Sequence, residues 1–134
     1  MTYLLDTNVC VNYLRSPGQS SITRKLLSCR PGEVVLCSVA KAELVYGAYR
    51  SRNVQQNLRH VQLFSARFLS LPYDDAAAEI YGQVRSQLAN QGRLIGPNDL
   101  MIASIALTHD LTLVTHNLGE FGRITRLSLE DWEA

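Results

Sequence analysis

Three short, almost wholly apolar runs punctuate the chain: residues 2 to 5 (Thr-Tyr-Leu-Leu), Glu33 to Cys37 (Glu-Val-Val-Leu-Cys) and Leu111 to Thr115. Each is bounded by turn or capping residues and separated from the next by stretches with helical spacing, so each predicts a buried strand. Asp6-Thr7-Asn8 caps a first helix that Ser16-Pro17-Gly18 stops, and a second helix fits residues 20 to 29. Ser38 is expected to cap a helix over about 39 to 51, and another follows through Phe68. Leu69 to Leu71 predicts a brief strand. Asp74 and Asp75 open a long helix to about Asn90, and Gly96-Pro97-Asn98-Asp99 opens one that runs to about His109. Leu127 to Leu129 predicts a last strand. Short apolar strands alternating with helices specify an α/β fold around a mostly parallel sheet. In such sheets ligands sit beyond the carboxyl ends of the strands.

The 134 residues fit a single domain, 1–134, with no repeat or linker inside it. Thirteen Lys and Arg against twelve Asp and Glu leave a formal charge of +1, so no global basic field exists and any nucleic acid must meet a local patch. Eleven of the thirteen cations are Arg, which suits bidentate phosphate contacts. The N-terminus has neither the basic region nor the long apolar run of a secretory signal, and no apolar run approaches the ~20 residues that span a bilayer. Cys10, Cys29 and Cys37 are odd in number and lack C-x-x-C spacing, which argues against a disulfide framework and a structural zinc site. A cytoplasmic protein with no membrane partner is expected.

The placement of acids then becomes informative. Asp6 lies at the end of the first strand, Glu43 in the helix leaving the second, Asp99 in the first turn of another helix, and Asn117 just after the Leu111 to Thr115 strand. Parallel strands bring all four to one sheet edge. The other nine acids fall where solvated faces, turns or the C-terminal tail are expected. Three carboxylates and an amide form a hard-oxygen set that repels itself unless a divalent cation neutralises it, and Mg²⁺ or Mn²⁺ prefers such ligands. With no His or Cys cluster and no acyl-transfer triad, phosphoester hydrolysis is the chemistry supported. Taken singly, Asp6 is also a helix cap and Asp99 a residue that complements a helix dipole. Glu43, on an apolar helix, is the hardest to explain by structure alone.

The residues also carry a resemblance. Leu4-Leu5-Asp6-Thr7-Asn8, Ser38-Val39 through Ala42-Glu43-Leu44 with Tyr46-Gly47, Gly96-Pro97-Asn98-Asp99 with Met101-Ile102-Ala103, and Leu113-Val114-Thr115 with Asn117 and Glu120-Phe121 resemble a PIN domain. More closely, the chain resembles the VapC ribonuclease toxins of type II toxin–antitoxin systems, over nearly its whole length. The Gly-Pro-Asn-Asp segment, Gly82-Gln83-Val84-Arg85 and the Glu130-Asp131-Trp132 ending are most similar to the subgroup that cuts initiator tRNA. The resemblance implies a three-layer α/β/α sandwich and a Mg²⁺-dependent endoribonuclease. Asp6, Glu43 and Asp99 would be the acidic centre and metal ligands. Thr7, Asn8 and Thr115 would hold those carboxylates by hydrogen bonds. Many relatives carry a fourth acid where this chain has Asn117. A homodimer, a higher toxin–antitoxin complex and a VapB-type antitoxin that plugs the acidic site are also implied.

Arg50, Arg52, Arg59, Arg67 and His60 fall in a stretch, Leu44 to Tyr73, that has no acid at all. They could form a basic ridge for RNA phosphates, joined by Lys41 and Arg93. Tyr46, Tyr49, Phe64, Phe68 and Tyr81 fall at helical spacings that suit a core or dimer interface, and His116 is expected on the surface. A non-catalytic or weakly catalytic RNA- or partner-binding module remains the alternative. An aspartyl-phosphate phosphatase would want a carboxylate at position 8, where Asn stands. No G-x-G-x-x-G or G-x-x-x-x-G-K occurs, so dinucleotide and NTP functions have no support.

Overall fold

A computed structural model describes residues 2–133; the ends of the expected 1–134 domain, positions 1 and 134, lie outside the described residues. Five strands, β1 (Tyr3–Leu5), β2 (Val34–Cys37), β3 (Ser70–Leu71), β4 (Thr112–Val114) and β5 (Ser128–Glu130), form one sheet in the order β3-β2-β1-β4-β5. Every pairing is parallel, with Leu4 opposite Val35 on one side and Leu113 on the other. Seven helices connect them: α1 (Thr7–Arg15), α2 (Ser21–Ser28), α3 (Ser38–Tyr49), α4 (Val54–Ser65), α5 (Asp75–Asn90), α6 (Pro97–Thr108) and α7 (Leu118–Phe121).

Successive strand residues point to opposite faces, and the core divides accordingly. Leu4, Val35 and Leu113 join Val84, Leu88, Ile102 and Ile105 of α5 and α6. Leu5, Val34, Leu36 and Val114 join Val9, Ile22, Leu26, Leu44 and Phe64 of α1 to α4. The sheet is therefore the middle of three layers, as the resemblance implies. Its order reverses at β1, whose neighbours are β2 and β4. That switch point opens a crevice beyond the carboxyl ends of β1, β2 and β4.

Three expectations change. Ser38 is the first residue of α3 rather than its cap; its hydroxyl instead accepts the Tyr73 backbone N–H at 3.2 Å, tying α3 to the segment after β3. The helix expected through Phe68 ends at Ser65, where the chain turns toward β3. Between β4 and β5 stands α7, four residues long, too short for periodicity to announce. Among the described residues, no helix is long and apolar enough to cross a membrane, and Cys10, Cys29 and Cys37 are all free.

Candidate active site

Asp6 leaves β1 directly into the crevice. Its Oδ1 caps α1 by accepting the Val9 backbone N–H at 2.9 Å, and its Oδ2 accepts the Thr115 hydroxyl at 2.6 Å. Thr115 is fully buried just past β4, so the β1–β4 pairing brings together two residues 109 positions apart. The carboxylate is itself buried, and burial raises its pKa although Thr115 and the N–H groups of Val9 and Asn8 pull it down. Capping and a site role thus coincide in one side chain. From α3, Glu43 Oε1 accepts the Thr7 hydroxyl at 2.6 Å. Asn8 is exposed and lines a cavity beside Asp6.

Asp99 stands in the first turn of α6, half-buried. Its carboxyl is pushed up to about 6, by burial first and then by the negative charges of Glu120, Asp6 and Glu43. Glu120 is one of the nine acids assigned above to solvated positions, and that assignment is corrected here. Its Oε1 accepts the Gly96 backbone N–H at 2.9 Å, and its Oε2 accepts the Asn117 side-chain amide at 2.9 Å. These bonds hold its pKa down, and its hydrogen bond with Asp99 lowers it further while raising Asp99. Of the two, Asp99 is therefore the carboxyl that takes up a proton more readily.

The acidic centre thus has four carboxylates, Asp6, Glu43, Asp99 and Glu120, and Asn117 serves the fourth through its amide. A sequence signal was present, since Asn117-x-x-Glu120 has the spacing of a capping box. The structure spends it differently, because Asn117 makes no side-chain cap and Glu120 turns to Gly96.

Among the described residues the one salt bridge joins His116 and Asp131 at 3.0 Å, so none of the four carboxylates has a Lys or Arg within 4 Å. Carboxylates with no Lys or Arg within 4 Å, three of which together push Asp99 up, form the donor set a hard divalent cation neutralises. By the chemistry of their donors the residues suit such an ion, although among the described residues the group whose candidate ligand atoms lie within 4.8 Å of one another is His116, Asp131 and Glu133.

Lys41, Arg50, Arg52, Arg59 and Arg93 are exposed. Arg67 is instead bound to aromatic side chains, its guanidinium 5.7 Å from the Tyr13 ring centre and 5.3 Å from that of Phe68, with Nη1 donating to the Tyr13 hydroxyl at 2.8 Å. Two cavities lie beside the site, the first with Glu43 in its wall and the second with Asn8 and Asn117. One of about 670 Å³ is lined by Thr7, Glu43, Tyr46, Asn98 and Met101, and one of about 520 Å³ by residues of α1 and the loop after β4. Neither is lined by Lys41, Arg50, Arg52 or Arg93. Phe64 is buried, whereas Tyr46 and Tyr49 are 67% and 62% exposed and remain open to a partner.

The PIN domain family matches residues 3–127. The tRNA(fMet)-specific endonuclease VapC of Shigella flexneri is 39% identical over 132 residues, covering 98% of each chain. Ribonuclease VapC2 of Rickettsia felis is 36% identical over 133 residues, covering 99% of each. Among solved structures, DNA-bound VapBC from Salmonella typhimurium superposes with a TM-score of 0.92 at 37% identity, covering 98% of each chain. The carboxylates at the switch point therefore sit in a fold with full-length relatives, and the chain belongs to the PIN-domain family, among its VapC proteins.

Proposed function

We propose that this chain is the toxin of a type II toxin–antitoxin pair, a cytoplasmic Mg²⁺-dependent endoribonuclease that cuts initiator tRNA in its anticodon loop. The observation that carries the reading is the gathering of Asp6, Glu43, Asp99 and Glu120 at the sheet's switch point without a cationic partner. The tRNA assignment draws on the name of the Shigella flexneri relative.

Asp6, Glu43 and Asp99, with Glu120, would hold the cation. When bound there, Mg²⁺, or Mn²⁺ in its place, supplies neutralising charge for a scissile phosphate and a water of lowered pKa. The rest is done by the chain. Thr115 and the α1 N-terminus fix the Asp6 carboxylate, and Thr7 fixes that of Glu43. The Gly96 N–H and the Asn117 amide fix Glu120 and hold its pKa below the ordinary carboxylate value. In-line attack by water would leave 5′-phosphate and 3′-hydroxyl ends.

An apolar groove between α1, α3 and α4, about 350 Å³ and lined by Val11, Leu14, Leu44, Gly47 and Val61, also includes Glu43 in its wall. An antitoxin peptide seated in it would reach the carboxylates, where a basic side chain would neutralise them. A homodimer using the exposed Tyr46 and Tyr49 completes the assembly.

Thermal melts check the cation. In EDTA the folded state holds the Asp99 proton more tightly than the unfolded chain, with a pKa of about 6 against 3.8. Stability from this group is present at low pH and is lost as pH rises through the window between those values. Wild type in EDTA should therefore melt progressively below Asp99→Asn as pH goes from about 4 to about 6, and millimolar Mg²⁺ above pH 6 should raise the melting temperature of wild type only. Equal melts in EDTA and Mg²⁺ contradict a cation centre. The function is tested with purified initiator and elongator tRNAs: one discrete cut in initiator tRNA supports it, and equal degradation of both removes the tRNA assignment.

A further inference from the structure

Asp6 is followed by Thr7, which lines the larger of the two cavities beside the site, and Asn8, which lines the other. That second cavity, about 520 Å³, has Asn8, Asn12, Arg15, His116, Asn117 and Glu133 in its wall, and its volume is typical of a small-ligand site. Asn8, Asn12 and Arg15 stand at i, i+4 and i+7 of α1, hence on one face, and span roughly 10 Å along the helix axis. Asp6 caps the start of the helix, so this face runs outward from the acidic centre.

The opposite wall is assembled by the sheet. Val114 of β4 pairs with Glu130 of β5, which sets His116 and Asp131 side by side just past the two strand ends. His116 Nδ1 meets Asp131 Oδ2 at 3.0 Å, the Glu133 backbone N–H donates to Asp131 Oδ1 at 2.9 Å, and the Asn12 amide donates to Glu133 Oε1 at 2.9 Å. Three segments distant in sequence thus close into one hydrogen-bonded wall. These bonds engage His116 Nδ1, both Asp131 oxygens and Glu133 Oε1, and so fix the wall in place. What faces the cavity is a set of amides able both to donate and to accept, with a carboxylate acceptor and one guanidinium at the outer end.

Single-stranded RNA is read in this way, through splayed bases hydrogen-bonded along their edges and phosphates held by Arg. We propose that this cavity receives one unstacked nucleotide adjacent to the scissile phosphate, its base edge against Asn8, Asn12 and Asn117 and its outer phosphate at Arg15. The assignment rests on the endoribonuclease reading. It puts substrate recognition on α1 rather than on Lys41, Arg50, Arg52 and Arg93, which line neither cavity.

The test compares wild type, Asn12→Ala, Arg15→Ala and Arg15→Lys as full-length protein, each checked by its melt. Steady-state cleavage of initiator tRNA is measured together with anisotropy of a labelled anticodon-loop oligoribonucleotide, the latter in an Asp99→Asn background where the probe stays intact. The proposal expects KM for Asn12→Ala and Arg15→Ala to rise tenfold or more with kcat within threefold, partial recovery in Arg15→Lys, and an unchanged Mg²⁺-induced melting shift. An unchanged KM, or a loss confined to kcat, overturns it. If wild type cleaves no RNA, the endoribonuclease reading fails on its own. The anisotropy then decides: a tenfold weaker complex for both alanine variants supports the subsite, and wild-type affinity overturns it.

Discussion

Asp6→Asn should lower RNA cleavage by at least about 10³-fold while leaving the fold in place. The amide keeps the shape of the carboxylate, and Asn caps helices as well as Asp does, so its one oxygen still accepts the Val9 N–H while its NH2 group turns to the Thr115 hydroxyl oxygen as a donor. What disappears is one negative charge from a set that has no Lys or Arg within 4 Å. A catalytic cation contributes several kcal/mol to transition-state stabilisation, and each ~1.4 kcal/mol lost is tenfold in rate. Asp6→Ala adds a structural defect, since the cap is worth about 1 kcal/mol and the buried Thr115 hydroxyl loses its partner. Glu120→Gln should fall between wild type and Asp6→Asn, because its neutral oxygen still accepts the Gly96 N–H while Asp99 loses the neighbour that most raises its pKa after burial. Single-turnover rates with matched thermal melts check the series. A melting temperature for Asp6→Asn far below wild type would reassign the residue to structure.

Trp132→Ala should cost about 3–5 kcal/mol, the range for truncating a buried large aromatic side chain, a large part of the ~5–15 kcal/mol that holds a typical domain together. Trp132 is 3% exposed and packs into the α1–α4 layer. Its ring meets Tyr3 of β1 edge-on, centres 5.2 Å apart, and its Nε1–H donates to Glu130 Oε1 at 3.0 Å. The Ser21 hydroxyl donates to its carbonyl at 2.7 Å, tying the segment to the start of α2. The melting temperature should drop by roughly 10 °C or more. Because Asp131 and Glu133 flank the tryptophan, the wall beside the acidic centre loosens with it. An unfolding free energy from urea titration within about 1 kcal/mol of wild type would show that the C-terminal segment docks without it.

The alternation of apolar runs with capped helices carries the α/β architecture, and the rule placing ligands beyond parallel strand ends groups Asp6, Glu43 and Asp99 before any coordinate is known. What stays hidden is whatever depends on lateral pairing. His116 and Asp131 are 15 residues apart, and only the β4–β5 register sets them side by side. Glu120 rides on a four-residue helix, where no apolar period can develop, and its partner Gly96 lies 24 positions upstream. Arg67 looks like one more phosphate-binding cation in an acid-free stretch, yet tertiary packing gives it to Tyr13 and Phe68. The Ser38 cap fails for the same reason, since its hydroxyl finds the Tyr73 N–H across the fold.

The most direct measurement incubates purified, partner-free protein with total bacterial RNA and maps products on a sequencing gel, with Mg²⁺ or EDTA and with wild type or Asp99→Asn. A discrete cut in the anticodon loop of initiator tRNA, present only with wild type and Mg²⁺, is the predicted result. The same cut in EDTA or with Asp99→Asn, or intact initiator tRNA in every lane from folded, Mg²⁺-stabilised protein, would contradict it; the second outcome would leave an RNA- or partner-binding module as the reading.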